Sequence, residues 1–406
     1  MVDLRTDQFA NGAILAGGSV LQIIPRLDAG GAEKTTIDIA KALVLASARS
    51  FVLSEGGRLT PELLATGSDF VPFPAATKNP FRILLNGIKL AKFIKAHRID
   101  VIHARSRAPA WSAWIASKIA NIPFVTTYHG SYAGKSRLKI LYNSVMARGT
   151  VVIANSHYTA ALIRRMHPFA NTRIRVIHRG TDMTQFTRDA VSEDRIRHLQ
   201  DQWGSAGKRV ILLAARLTGW KGQRVLIDAM KILVDHGITD CVAILAGDPQ
   251  GRETYVAELK TQIATLGLPN FVKLVGHCSD MPAAFSLADI ATVPSTQPEA
   301  FGRSAVEAQA MQTPVVVSNL GAVPETVLAP PDCAAEERTG WRVPPNDAKA
   351  MAHAMMEALA LSAKDRDELG RRARHHVTQH FSLERMTGDT LTIYNEILAK
   401  SAKKPL

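Results

Sequence analysis

The sequence predicts an α/β protein of two doubly wound domains, each a parallel β-sheet covered by helices on both faces. Short apolar runs alternate with helical patterns along the whole chain, which is typical of parallel strands joined by helical crossovers. The chain has 406 residues, 46% of them hydrophobic, which is enough for two separate cores. A polar stretch over residues 187–208 separates two series of strands, and we place the domain boundary in it, after residue 190.

The first series contains six predicted strands and the second contains five. In the first half they are residues 20–24, 51–54, 101–104, 123–127, 151–154 and 174–178. In the second half they are residues 210–214, 242–246, 271–275, 290–293 and 315–318. Open α/β sheets bind ligands at the carboxyl ends of their strands, so functional side chains are expected in the loops that follow these runs.

The most informative segment is residues 298–307, which follows strand 290–293. Glu299 lies on the loop, Gly302 allows a turn, and Glu307 lies within the next helical pattern. The start of that helix offers free N–H groups to a phosphate. Carboxylates would be repelled by phosphate but accept hydrogen bonds from the hydroxyls of a sugar. The alternative is an exposed loop glutamate and a solvated helix glutamate.

Two further loops suit a diphosphate. Arg216 and Lys221 follow strand 210–214, and two cations there can clamp a pyrophosphate and neutralise a leaving nucleoside diphosphate. Gly30 and Gly31 follow strand 20–24 and open a helix, so backbone can approach an anion closely. The alternatives are exposed loop charge and an ordinary strand-to-helix turn.

Other candidates follow strands 101–104, 123–127 and 271–275. His129 ends a first-half strand, where a neutral imidazole can hold a sugar hydroxyl or donate to a transition state, although a single histidine is more often structural. The stretch from His103 to Arg107 is expected to point toward the ligand, with Arg105 and Arg107 holding an anionic acceptor. His277 is expected beside a nucleobase.

Two glutamates separated by seven residues, with Phe301 and Gly302 between them, resemble the hallmark of retaining glycosyltransferase family 4. The resemblance continues through residues 314–319 and 321–325, where Ala322 replaces a glycine usual in the family. It also includes the Gly-Gly-Ala-Glu run from residue 30, the Arg-Leu…Lys-Gly pattern from residue 216, and the His-Gly pair from residue 129.

This resemblance implies the GT-B architecture, in which the two domains face a cleft. Residues 1–190 would bind the acceptor, residues 191–382 the nucleotide sugar, and a helix in residues 383–406 would cross back to the first domain. Glu299 would hold sugar hydroxyls, and Glu307 the ribose. The other implied donor-binding residues are Phe301, Gly302, His277, Arg216, Lys221, Gly30 and Gly31. His129 would lie near the reaction centre of a retaining transfer.

No cofactor or metal site is expected. Cys241, Cys278 and Cys333 lack metal-ligand spacing and favour a reducing compartment. Asp365 and Asp367 mimic a metal-binding Asp-x-Asp motif, but their surroundings are typical of a helix start. We expect a cytoplasmic protein, because no secretory signal or membrane-length apolar run is visible.

The positive charge is concentrated in the first half of the chain. The net charge is +13, and residues 81–150 carry twelve basic residues and one acidic residue. This asymmetry predicts an anionic partner, whereas no nucleic-acid-binding motif is present. We expect an anionic glycolipid or glycan acceptor, such as a lipopolysaccharide core, with peripheral contact to the inner membrane. Solvated helix faces are the alternative reading of the charge.

Two other functions remain open at this point. One is transfer to a soluble acceptor such as a sugar phosphate, and the other is a catalytically silent relative that binds a nucleotide sugar or glycan. The presence of Arg216, Lys221, Glu299 and Glu307 together argues against the silent relative. The family motifs serve UDP-glucose, UDP-N-acetylglucosamine and GDP-mannose alike, so the donor also stays open.

Overall fold

The chain divides into two compact units. The computed structural model describes residues 15–28, 30–130 and 136–402. One unit contains residues 15–180 together with the final helix, and the other contains Thr181–Ser382. The predicted boundary after residue 190 therefore falls inside the second unit. The reason is packing, because the Arg374 side chain donates a hydrogen bond of 2.7 Å to the carbonyl of Phe186 and so fixes this segment to the second unit.

The first unit is built on a seven-stranded parallel sheet in the order β3-β2-β1-β4-β5-β6-β7. Its strands are β1 (Ser19–Ile23), β2 (Arg49–Ser54), β3 (Asp69–Pro72), β4 (Val101–Ala104), β5 (Phe124–Tyr128), β6 (Val151–Ala154) and β7 (Ile174–Val176). Its helices before the second unit are α1 (Gly31–Leu45), α2 (Thr60–Leu64), α3 (Pro80–His97), α4 (Arg107–Ala120), α5 (Arg137–Asn143) and α6 (His157–Met166).

The second unit repeats the pattern with six parallel strands in the order β10-β9-β8-β11-β12-β13. The strands are β8 (Arg209–Ala214), β9 (Cys241–Ala246), β10 (Val272–Gly276), β11 (Ile290–Val293), β12 (Val315–Ser318) and β13 (Trp341–Val343). The helices are α7 (Glu193–Trp203), α8 (Gln223–Asp235), α9 (Glu253–Thr265), α10 (Met281–Leu287), α11 (Arg303–Ala310), α12 (Val323–Thr326), α13 (Ala348–Leu359) and α14 (Ala363–Phe381).

These two sheets confirm the predicted class of two doubly wound parallel-sheet domains. In each sheet the strand order reverses direction once, between β1 and β4 and between β8 and β11. Such switch points are where open α/β sheets bind ligands. The sequence prediction missed β3 and β13, which are edge strands of four and three residues. Edge strands this short lack the long apolar run that identifies a central strand.

The final helix, α15 (Leu383–Ala402), belongs to the first unit. The hydroxyl of Tyr394, on α15, lies 2.6 Å from Nδ1 of His103, and Thr127 lies 2.7 Å from the other ring nitrogen. His103 is fully buried by this arrangement. The expectation that His103 points toward a ligand is therefore wrong: its ring holds α15 against the sheet.

Candidate active site

The loops after β8 and β11 meet at the switch point of the second sheet. Nζ of Lys221 lies 2.5 Å from Oε1 of Glu299, and the hydroxyl of Ser295 donates a hydrogen bond of 2.6 Å to the same oxygen. Glu299 is buried, with 8% of its surface exposed. Its second oxygen, Oε2, accepts no hydrogen bond from the part of the chain that the structure describes. That oxygen is therefore available to a ligand hydroxyl.

Backbone contacts fix the positions of the loops after β8 and β11. Gly222 has a φ of 76°, and a Cβ atom at this position would lie 1.8 Å from the carbonyl oxygen of Pro294, so only glycine fits. The backbone N–H of Thr296 donates to the carbonyl of Trp220 at 2.8 Å, and the ammonium of Lys221 lies 4.4 Å from the Trp220 ring centroid. Lys221 is thus positioned by an ion pair and by a cation–π contact.

Arg216 lies on the same loop but is differently placed. Its carbonyl accepts a hydrogen bond of 3.0 Å from Gln223, a buried residue that in turn accepts from Tyr255. The side chain of Arg216 is exposed and forms no ion pair with any described residue. A fixed backbone with an unpaired guanidinium suits the binding of an external anion.

Glu307 lies one turn into α11, which begins after Gly302, where φ is 86°. Nε of Arg303 lies 2.9 Å from its carboxylate, and 7% of the residue is exposed. Burial raises the pKa of Glu307, and the neighbouring Arg303 partly opposes that rise. The ion pair with Arg303 therefore fixes the position of the Glu307 carboxyl group.

Phe301 does not present its side chain to a ligand. It is 3% exposed and packs edge to face against Phe381, with ring centroids 5.5 Å apart. The predicted donor contact of Phe301 can therefore come only from its backbone.

The position at which the chain departs from the usual family pattern is well suited to alanine. Ala322 has a φ of −88°, and its N–H donates a hydrogen bond of 2.9 Å to the carbonyl of Glu299. Gly321 carries the constraint instead, because its φ is 69° and a Cβ atom there would lie 2.4 Å from the same carbonyl oxygen. The Glu299 loop is thus anchored by residues 321 and 322.

His277 is exposed and follows β10, on the far side of β9 from β8. A cavity of about 330 Å³ extends beside it, lined by α7 and residues 277–280. Arg195 closes part of this cavity through a bidentate ion pair with Asp280, at 2.7 and 2.8 Å. The structure does not place His277 against the Lys221 and Glu299 pair.

In the first unit, the His129 ring follows β5 and is held by Arg179. Nη2 of Arg179 lies 3.4 Å from Nδ1 of His129 and donates to its carbonyl at 3.2 Å. Burial lowers the pKa of His129 well below its ordinary value, and the charges of Arg105 and Arg179 lower it further. We infer a neutral ring whose Nδ1 accepts from Arg179, leaving Nε2 to carry the proton. Nε2 is buried and has no hydrogen-bond partner.

The two arginines after β4 are separated by the structure. Arg105 is 2% exposed, and its guanidinium forms no hydrogen bond or ion pair with the described residues. Arg107 begins α4, and its Nη1 donates a hydrogen bond of 3.0 Å to Asn143. Asn155, which sequence reasoning missed, directly follows β6, and both of its amide atoms are buried and unpartnered.

Gly30 and Gly31 stand at the start of α1. Gly30 precedes the helix with an extended backbone, φ 161°, and its carbonyl accepts from the N–H of Lys34 at 3.1 Å. The preceding residue 29 lies outside the described part of the chain. Asp365 takes part in a helix cap, since it exchanges hydrogen bonds with Ser362.

Two family models match the chain. "Glycosyltransferase Family 4" matches residues 29–185, and "Glycosyl transferases group 1" matches residues 196–376. A glycosyltransferase structure from Rickettsia africae ESF-5 is 33% identical, covers 94% of this chain and 99% of its own, and gives a TM-score of 0.86. Anabaena Alr3699/HepE in complex with UDP is 26% identical, covers 93% and 100%, and gives a TM-score of 0.80.

Two glycosyltransferases with named activities are among the curated relatives. A D-inositol 3-phosphate glycosyltransferase from Jonesia denitrificans is 26% identical over 73% of this chain and 71% of its own length. A lipopolysaccharide core biosynthesis mannosyltransferase, LpcC, from Rhizobium leguminosarum bv. viciae is 28% identical over 64% and 72%.

Proposed function

The chain belongs to glycosyltransferase family 4, and we propose that it transfers a sugar, with retention of configuration and without a metal ion, from a nucleoside-diphosphate sugar to an anionic glycolipid or glycan. The observation that carries this proposal is the ion pair of Lys221 with Glu299 at the switch point of the second sheet. It combines a cation for a leaving diphosphate with a carboxylate whose free oxygen suits a sugar hydroxyl.

On this proposal the second unit binds the donor. Arg216 and Lys221 neutralise the charge that develops on the leaving diphosphate, Glu299 holds hydroxyls of the transferred sugar, and Glu307 holds the ribose. These roles need no divalent ion, because cations and backbone N–H groups supply the positive charge. HepE, 26% identical to this chain, has been crystallised with UDP, which supports a nucleotide sugar as co-substrate.

The first unit binds the acceptor on this proposal. The acceptor hydroxyl attacks the face of the donor sugar from which the diphosphate departs, and a phosphate oxygen of the leaving group takes the hydroxyl proton. The neutral ring of His129 donates through Nε2 to an oxygen that gains negative charge in the transition state. The carbon–oxygen bond to phosphate breaks as the new glycosidic bond forms.

Charge and exposed apolar surface favour an acceptor at a membrane. Every large hydrophobic residue that is exposed in the described part of the chain lies in the first unit. Four of them, Phe81, Leu84, Leu85 and Ile88, lie on the first turns of α3. The exposed lysines 89, 92 and 95 follow them on the same helix. No described helix is long and apolar enough to cross a membrane, so we propose peripheral contact of α3 with an anionic lipid surface.

A soluble anionic acceptor is the second candidate, favoured by the similarity to a protein named D-inositol 3-phosphate glycosyltransferase. The test is a donor panel of UDP-glucose, UDP-N-acetylglucosamine and GDP-mannose, with released nucleoside diphosphate measured with and without acceptor. Extracted glycolipid and a soluble sugar phosphate serve as the two acceptors. Release that neither acceptor increases, with any donor, would contradict transferase activity.

A further inference from the structure

Three strands of the first sheet, β4, β5 and β6, are each followed directly by a polar residue, and these residues lie on one face of that sheet. Side chains alternate between faces along a strand, so residues two apart share a face. His103 and Thr127 share the face under α15, because they are hydrogen-bonded to each other. Arg105 follows His103 by two positions, and His129 follows Thr127 by two. Both therefore continue this face beyond the ends of β4 and β5.

Asn155 joins them on the next strand. Tyr128 pairs in register with Ala154, so His129 and Asn155 are the next neighbours across β5 and β6. Ile153, two positions before Asn155, packs in the same cluster under α15 as Val125, two positions before Thr127. Arg105 is close enough to His129 for its charge to lower the pKa of the ring. The three polar side chains thus converge at one edge of the sheet.

All three groups are buried without partners. Arg105 is 2% exposed, and its Nε and Nη2 atoms have no acceptor; Asn155 is 1% exposed, and neither amide atom is hydrogen-bonded. Nε2 of His129 is also buried and has no hydrogen-bond partner. Buried polar groups are rarely left unsatisfied, and a buried cation is the most costly of them. These unsatisfied donors therefore indicate a binding site for a ligand that accepts hydrogen bonds.

The charge of this edge is positive. Burial lowers the pKa of Arg105 to about 10, while Tyr394 and Asp38 partly oppose that change, so the guanidinium is charged at neutral pH. A planar guanidinium and an amide N–H suit a carboxylate or phosphate, because those oxygens accept several hydrogen bonds and neutralise the cation.

We propose that Arg105 and Asn155 form a subsite for one anionic group, a carboxylate or a phosphate, carried by the accepting sugar itself, and that His129 borders this subsite. This inference rests on the proposed function for the place of His129 at the reaction centre. Because Arg105 and His129 follow the neighbouring strands β4 and β5 on one face of the sheet, an anion bound by Arg105 belongs to the sugar whose hydroxyl attacks beside His129. The acceptor is then an acidic or phosphorylated sugar, and Arg105 determines specificity for it.

The direct test measures binding of glucuronate, glucose 6-phosphate and neutral glucose by calorimetry at constant ionic strength. We expect the wild type to bind at least one of the two anionic sugars, and that sugar at least tenfold more tightly than glucose. The tighter of the two identifies the anion. Arg105→Met should remove this preference, and Asn155→Ser should reduce it severalfold. Arg165→Met, which removes an exposed cation of the same unit, is the matched control and should change nothing.

Two results would overturn the subsite. One is wild-type protein that binds glucose as well as both anionic sugars. The other is an Arg105→Met protein that folds and keeps the anionic preference. If Arg105→Met does not fold, the subsite is still tested by the anionic-sugar preference of the wild type and by its reduction in Asn155→Ser.

A UDP titration in the same series separates this inference from the proposed function. Lys221→Ala should weaken UDP binding and leave anionic-sugar binding intact. If the protein binds an anionic sugar but no nucleotide, that result would contradict the proposed function and leave the inferred subsite intact. Arg105→Met that weakens UDP as strongly as Lys221→Ala would assign the subsite to the donor diphosphate and overturn the inference.

Discussion

Nζ of Lys221 and Oε1 of Glu299 lie 2.5 Å apart, although 78 residues separate them in the sequence. Their side chains are 17% and 10% exposed, so each charge depends on the other for compensation. The pair forms because β8 and β11 are neighbours at the switch point. Lys221 and Glu299 therefore act as one unit, and removing either should affect both stability and activity.

Substitution of Arg216 and Lys221 should distinguish effects on the transfer rate from effects on stability. Arg216→Ala and Lys221→Ala should each lower the transfer rate about a hundredfold, since one preorganised charge contact is worth roughly 3 kcal/mol of barrier. Lys221→Ala should also lower the free energy of unfolding by roughly 3 kcal/mol, because the charge of Glu299 is left buried and unpaired. Exposed Arg216 should change it by no more than about 0.5 kcal/mol.

The measurements for these variants are steady-state transfer kinetics and urea unfolding. Arg224→Ala, which breaks an exposed ion pair with Glu258 near the same loop, is the control and should leave both quantities almost unchanged. Rates within a factor of two of wild type for both loop variants would remove the proposed diphosphate contact.

Transfer should continue in the presence of EDTA. The proposed chemistry neutralises the diphosphate with Arg216, Lys221 and backbone N–H groups, and Asp365 is engaged in a helix cap. The measurement is the initial rate with EDTA and with added magnesium or manganese. Loss of activity in EDTA that either metal restores would show that a metal site takes part.

Membrane binding should depend on α3 and on salt. Each lysine near an anionic surface contributes about 1 kcal/mol, and screening shortens the Debye length to about 3 Å at 1 M salt. Changing Lys89, Lys92 and Lys95 to glutamate should therefore abolish co-sedimentation with anionic vesicles, and high salt should release the wild type. Zwitterionic vesicles should bind little protein under either condition.

The matched control changes three exposed lysines of the second unit, Lys260, Lys349 and Lys364, to glutamate. This variant has the same net charge as the α3 variant but should still bind anionic vesicles. Equal loss of binding in both variants would show that net charge, and not α3, drives association. Equal wild-type binding to both vesicle types would favour the soluble acceptor.

Stability should fall as the solution becomes acidic. Burial and the neighbouring His380 ring lower the pKa of His376 to about 4, and burial lowers the pKa of His103 and His129. The unfolded chain then binds protons below pH ~6.5 that the folded chain excludes. The free energy of unfolding should drop between pH 7 and pH 5, by roughly 2 kcal/mol from His376 alone.

Urea unfolding of the wild type and of His376→Gln at pH 7, 6 and 5 measures this dependence. The variant should show a shallower decline over that interval. A wild-type stability that rises as pH falls through 6, or a variant with the same slope, would contradict the burial of a neutral His376.

The sequence was sufficient to predict most strands of both sheets and the loops that hold Lys221 and Glu299, because apolar runs and the residues that follow them are local features. From the sequence, Lys221 and Glu299 were predicted on two loops of one domain with separate roles. Their ion pair could not be predicted, because it depends on the order of the strands in the sheet. The side-chain direction of Phe301 is also not local, because Phe381 covers it from a distant helix.

In the first unit, the role of His103 likewise could not be predicted from its local sequence. A polar residue near a strand end resembles a ligand contact until the partner is known. Here the partner is Tyr394, 291 residues away on the final helix. Asn155 is the converse case, because nothing in its local sequence distinguishes an unsatisfied amide from a solvated one, and its burial emerges only when β6 is packed into the sheet.

The binding of a nucleoside diphosphate to the Lys221 loop is the central claim, and thermal unfolding with UDP and GDP tests it most directly. At about 100 times its Kd, a ligand that binds only the folded chain stabilises it by roughly 2.7 kcal/mol. We predict a raised unfolding temperature with at least one of the two diphosphates, and little or no increase for Arg216→Ala at the same concentration. No increase with either diphosphate, or an equal increase in Arg216→Ala, would contradict the account.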